Sequence, residues 1–184
     1  MKIKLPHAPY IASKIAIDLL NSGFVTLQKG LEPVAEGAKT LIVEEINKES
    51  ALEQKVSEML DENSDEIEFM QVDRRNMFWL VKKKLAKDFK VILAYEERYS
   101  DLSHRILNLI AEQHLIKYQV SENRVKNVIY NAIEEYLKTY EKTQDIVLEK
   151  LDNYKRKLIP GTQEYDLVFE RLYEEELRKR GMIQ

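Results

Sequence analysis

Apolar residues recur at steps of three and four along most of this chain, the spacing that lines one face of an α-helix. From Val125 the stripe runs through Ile129, Ala132, Tyr136, Tyr140, Thr143, Val147, Leu151 and Tyr154 to Leu158. With Ser121 as N-cap it predicts a helix over residues 122–157, roughly 50 Å long at ~1.5 Å per residue. A second stripe, Val34, Ala38, Leu41, Ile42, Ile46, Leu52, Val56, Met59 and Leu60, predicts an equally long helix over residues 31–62. Shorter helices are expected over 9–21, from just after Ser64 or Asp65 to 88 with Ile67, Met77, Phe78, Val81 and Leu85 inward, and over 101–114 with Ser100 as cap. A last one is expected over 163–180, capped by Thr162, with Leu167, Val168, Leu172 and Leu177 inward. Segments 2–5, 24–27, 91–94 and 115–120 alternate in part, but each is too short to carry a sheet. The pattern predicts an all-α fold with at most minor β-bridges.

Glycine and proline punctuate the boundaries of these segments rather than their interiors. Pro6 and Pro9 precede the first helix, Gly23 and Gly30 follow it, Pro33 suits the first turn of the next, and Gly37 alone falls inside an element. The order short, long, medium helix occurs twice, and a shift of 91 residues brings the two series into one register. Ile15 then meets Ile106, Val34 meets Val125, Ile42 meets Ile133, Val56 meets Val147, and Leu60-Asp61 meets Leu151-Asp152. The expectation is an elongated molecule of two tandem pseudo-equivalent units, residues 1–91 and 92–184, packed together because repeats seldom bury their apolar faces alone.

Composition narrows the class. A third of the residues are charged, yet the net charge is only -3, and 44% are hydrophobic. That balance suits a globular chain rather than a disordered tail or a strongly basic nucleic-acid coat. With no cysteine, disulfides and thiolate chemistry are excluded, and a reducing cytoplasm is the expected setting. The opening residues lack a secretory pattern, and no apolar run approaches the ~20 residues of a membrane span.

Five stretches carry a resemblance: KIAIDLLN at 14–21, EFMQVDRR at 68–75, VSENRVKNV at 120–128, NYKRKLIPGT at 153–162 and LYEEELRKRG at 172–181. Together they resemble a bacterial family catalogued as a domain of unknown function, number 507. The resemblance spans essentially the whole chain. It implies a helical cytoplasmic bacterial protein, and it implies no activity, cofactor or catalytic residue.

Candidate chemistry is sparse. Asp101 and His104 stand three apart on an expected helix, but a helical carboxylate–histidine metal site needs matching pairs from other helices. Glu66, Glu68, Asp73, Glu96 and Glu97 include adjacent acids of the kind that could do acid–base work, and a chain this acidic supplies such pairs on solvated faces. Residues 101–127 outline a helix-turn-helix with Asn123, Arg124 and Asn127 on one side, though the second helix is far longer than a recognition helix. No catalytic, metal or cofactor site is assigned. The cationic clusters offer a nucleic-acid surface: Arg74, Arg75, Lys82, Lys83, Lys84 and Lys87 around Trp79, with Lys155, Arg156 and Lys157 as a second patch. Arg75 and Lys82 fall within about 20° of each other on a helical wheel. The leading expectation is a non-enzymatic helical binding or scaffolding protein for protein partners, with no membrane partner. Nucleic-acid binding through those cations is the alternative, and an uncharacterised hydrolase a further one.

Overall fold

The computed structural model describes residues 2–181. A 3-10 turn, Leu5–His7, leads into α1 (Ala8–Asn21), whose second residue is Pro9; an N–H there would have no helical acceptor, so proline costs nothing. Ala8, Ile11, Ala12, Ile15, Ala16 and Leu19 are buried on one face of α1, which packs against α2 (Leu31–Glu62). Between them lies β1 (Val25–Leu27), entered through Gly23 at φ +81° and left through Gly30 at φ +83°. Gly37 has a packing reason. A Cβ at that position would meet Ile110 Cγ2 at 3.4 Å and Leu109 Cδ2 at 3.6 Å, so its absence lets the next long-range neighbour sit close.

That neighbour is α5 (Tyr95–Glu112), which buries Tyr99, Leu102, Ile106, Leu107 and Ile110 and packs on α2. It starts six residues before the expected position. Ser100 lies inside the helix, and Ala94 takes the N-cap place. The strand β2 (Ile116–Tyr118) then pairs antiparallel with β1, in the register Val25 to Tyr118, Thr26 to Lys117 and Leu27 to Ile116. Among the described residues this two-stranded sheet is the whole of the β structure; segments 2–5 and 91–94 form no strand. The all-α expectation with minor β pairing describes the fold.

Two helices are found where one was expected from just after Ser64 or Asp65 to residue 88: α3 (Ser64–Phe69) and α4 (Arg74–Leu85). The break is local chemistry. Gln71 adopts φ +52°, its N–H donates to the Glu68 carbonyl (3.1 Å), and the Val72 N–H donates to that of Ile67 (3.2 Å). These paired bonds close α3 by the left-handed capping motif that usually recruits glycine. Asp73 then caps α4, its carboxylate accepting from the Arg75 N–H at 3.0 Å. α4 returns along α2, and the pair encloses its own small core of Leu52, Val56, Leu60, Ala86 and Val91. Ile67, Met77, Phe78, Val81 and Leu85 pack around it.

The chain packs as two compact units, residues 1–130 and 131–184, with the division inside α6 (Glu122–Asp152). Within the first unit, elements from both sides of residue 91 pack together, since β1 pairs with β2 and α2 with α5. α6 buries its predicted stripe at Val125, Ile129, Ala132, Tyr136, Thr143, Val147 and Leu151. It ends five residues before the expected Lys157: the Asn153 side chain donates back to the Glu149 carbonyl at 2.9 Å, and Tyr154 is exposed. α7 (Gln163–Lys179) is capped as expected, Thr162 Oγ1 accepting from the Tyr165 N–H at 3.3 Å. Leu177 is buried, whereas Leu167, expected inward, is exposed.

Candidate functional site

The middle of α2 presents Glu45, Glu49 and Glu53 one helical turn apart, facing α4 and α5. Glu45 and Glu49 are buried, as are Lys82 of α4 and Arg98 of α5. Arg98 bridges the first two carboxylates, with Nε 3.1 Å from Glu45 Oε1 and Nη1 2.8 Å from Glu49 Oε2. Lys82 Nζ lies 2.9 Å from Glu49 Oε1 and 2.7 Å from Glu53 Oε1. Lys2 completes the Glu53 pair, and Arg105 binds both Glu45 and, at 2.9 Å, Asp101. Burial pushes the Glu49 carboxyl up, but hydrogen bonds from Lys82 and Arg98 outweigh it and leave it below the ordinary carboxylate value. The same contest raises Lys82: burial lowers it, and Glu53 and Glu49 more than compensate. Beside this network runs a cleft of about 430 Å³ walled by Trp79, Leu93, Tyr95 and Tyr99. Lys82 Nζ sits 5.1 Å from the Trp79 ring centroid. These charges are matched to one another, which makes the cluster a clamp joining the N-terminal segment, α2, α4 and α5.

The far end of the hairpin differs. Met59, Leu60, Ile67, Met70, Val72, Met77 and Val81 line a groove of about 230 Å³ with Asn63 and Glu66 at its edge. Of its lining Met70 is 67% exposed; the preceding Phe69 is 89% exposed and Leu80 of α4 62%. The chain from Val56 to Asp73 holds seven carboxylates and no lysine or arginine. Asp61 pairs with Arg74, and Asp73 caps α4. Among the described residues Glu62, Asp65, Glu66 and Glu68 form no ion pair. The tip therefore carries an apolar groove with Glu66 in its wall and Glu62, Asp65 and Glu68 exposed in the adjoining chain, together an unneutralised acidic collar. The left-handed turn at Gln71 falls between Met70 and Val72, both of which line the groove.

The cations singled out from the sequence fall into separate places. Lys82 does not belong to a phosphate-facing surface: it is buried, and both its hydrogen-bonded acceptors are carboxylates of α2. Its wheel position beside Arg75 is retained, but seven residues farther along the helix it meets Glu49 and Glu53. Arg74 is exposed and paired with Asp61; Arg74 and Arg75 line a depression of about 450 Å³ with Leu60, Asp73 and Phe78. Lys83 and Lys84 are exposed on α4, and Lys87 lies just past its end. Lys155, Arg156 and Lys157 are exposed in the turn after α6, where Arg156 Nη1 stands 3.3 Å from Glu164 Oε1. Asp101 is engaged by Arg105. The sequence reading missed the clamp, although Glu45, Glu49 and Glu53 at a four-residue step are a legible signal for one acidic stripe.

Fold and surface together define a helical protein whose distinctive outer feature is an acid-rimmed apolar hairpin tip. The chain belongs to the family described as protein of unknown function (DUF507), whose model matches residues 1–182. No curated protein matches it.

Proposed function

We propose that this chain is a non-enzymatic binding protein that docks a protein partner on the tip of the α2–α4 hairpin. The observation that supports it is the pair of large apolar side chains standing in water there, Phe69 and Met70, at an open groove that Met70 helps line, with Leu80 also exposed on α4. Wet apolar surface forgoes about 25 cal/mol per Å² of possible burial, and contiguous patches of it mark contact surfaces. Photo-crosslinking tests the reading. A benzophenone side chain at position 69 is expected to give nuclease-insensitive protein adducts that Leu80→Glu suppresses. The same probe at Asn47, exposed in the middle of α2 away from the tip, serves as control. Equal labelling from both positions, or adducts that carry nucleic acid, overturns the reading.

Nucleic-acid binding is the second reading, supported by Lys83, Lys84 and Lys87, which stand in solvent without an ion pair among the described residues. An oligonucleotide titration at low and moderate salt tests it, with Lys83→Glu and Lys84→Glu expected to weaken binding.

We also infer that the chain arose by duplication and resides in the cytoplasm. The first inference is supported by element bounds: β1 and β2 are 91 residues apart, as are the starts of α2 and α6 and the ends of α1 and α5. Left-handed residues repeat at the same offset, Gly23 with His114 and Lys90 with Gly181. In the sheet, Thr26 pairs with Lys117, its own counterpart under that shift, which is what a local two-fold relation requires. The second inference rests on the cysteine-free composition, and no helix among the described residues is long and apolar enough to cross a membrane.

A further inference from the structure

We propose that the hairpin-tip groove takes a basic, amphipathic helical segment of a partner protein. This deepens the docking reading above and rests on it. Three methionines, Met59, Met70 and Met77, contribute to the groove, and unbranched thioether side chains re-form around differently shaped apolar guests. The collar of Glu62, Asp65, Glu66 and Glu68 repels an acidic guest and attracts a cationic one, because no cation of the chain neutralises it among the described residues. The backbone of the tip consists of α2, α3, α4 and a hydrogen-bonded turn, so it offers no strand edge for an extended peptide to join. A guest helix instead supplies its own backbone hydrogen bonds. It presents apolar side chains at i, i+3 or i+4 and i+7 to the groove while its lysines or arginines reach the collar.

The clamp shows why the charge argument applies at the tip and not elsewhere on α2. There each carboxylate already holds a lysine or arginine of the same chain. At the tip the matching cations have to come from outside.

The test uses the full chain and three labelled synthetic peptides in fluorescence anisotropy. One is a leucine–lysine sequence with helical apolar periodicity. One carries glutamate in place of every lysine, and one is a scramble of the first without periodicity. Binding of the first is expected to exceed the other two by about tenfold or more and to weaken several-fold as salt is raised. Phe69→Ser with Met70→Ser is expected to weaken it by about tenfold, and Glu62→Gln, Glu66→Gln and Glu68→Gln together by several-fold. All these residues lie outside the core, and circular dichroism is to check that each variant is folded. Equal binding of the lysine and glutamate peptides overturns the basic-partner inference while leaving an apolar docking surface standing. Equal binding of the scramble overturns the helical guest. Absence of binding by all three overturns the inference, and the crosslink at position 69 then decides the docking reading separately. A dimer in sedimentation that Met70→Glu abolishes assigns the groove to a second copy of the chain and also overturns it.

Discussion

The middle of α2 and the tip of the hairpin both carry clustered carboxylates and use them in opposite ways. Glu45 and Glu49 are buried with a cation against each carboxylate; Glu62 and its neighbours in α3 stand in water with none. The difference lies in what faces them. α4 and α5 deliver Lys82 and Arg98 to the middle, whereas α4 begins at the tip with its Arg74 committed to Asp61. Acids whose partners come from the fold serve to hold elements together, and acids whose partners do not are left to act on something else.

Four substitutions or conditions sharpen that contrast. The largest effect is expected from Glu49→Ala, which takes from each of the buried cations Lys82 and Arg98 one of its two carboxylate partners. Removing one partner of a buried pair costs about 3–5 kcal/mol, and for a chain of this length a loss of roughly 10 °C in Tm follows. Calorimetry checks it, and a loss no larger than that at the tip breaks the comparison.

Second is the response to acid. Burial, with help from Lys4, lowers His7 from 6.5 to about 4. The unfolded chain therefore binds a proton at this position that the folded chain refuses, so stability declines as pH falls from about 6.5 towards about 4, by on the order of 3 kcal/mol. Glu49 and Glu53 act in a lower window. Their folded values lie below 4.5, so the stability they contribute is present above 4.5 and is lost as pH falls through those folded values. Urea melts across this range are expected to show both declines, and His7→Gln is expected to flatten the upper one alone.

Third, Asp73→Ala removes the cap of α4, at about 1 kcal/mol. Because Asp73 is also an acid of the tip, its loss separates the structural carboxylate there from the others. Smallest is Glu62→Gln with Glu68→Gln, expected to change stability by no more than about 0.5 kcal/mol in either direction. A clear stabilisation beyond that would show mutual repulsion among the collar acids; a clear loss would show that they have partners inside the chain.

Local pattern was enough to delimit much of the fold. The bounds of α2 follow from its stripe, from Gly30 before it and from the polar run after Leu60. Thr162 announced α7, and the short segments ending at Leu27 and beginning near Leu115 were legible as weak strands. The exposed turn of the tip was harder to read, because Gln71 in a left-handed conformation looks like any helical glutamine. Only the two backbone hydrogen bonds that close α3 reveal it.

What the sequence determined by itself is which residues share a helical face, since period, caps and breakers act over a few residues. What only the tertiary structure decided is which of those faces is covered, and by what. Lys82 and Glu49 are 33 residues apart, and Arg98 and Glu45 are 53 apart. A lysine on an amphipathic stripe reads the same from sequence whether it reaches solvent or a buried carboxylate. Leu167 shows the converse, an apolar residue in correct register with nothing laid over it. Helical period specifies direction around an axis; burial needs a second element at that direction, and the folded chain supplies one to Glu49 of α2 and none to Phe69 at the tip.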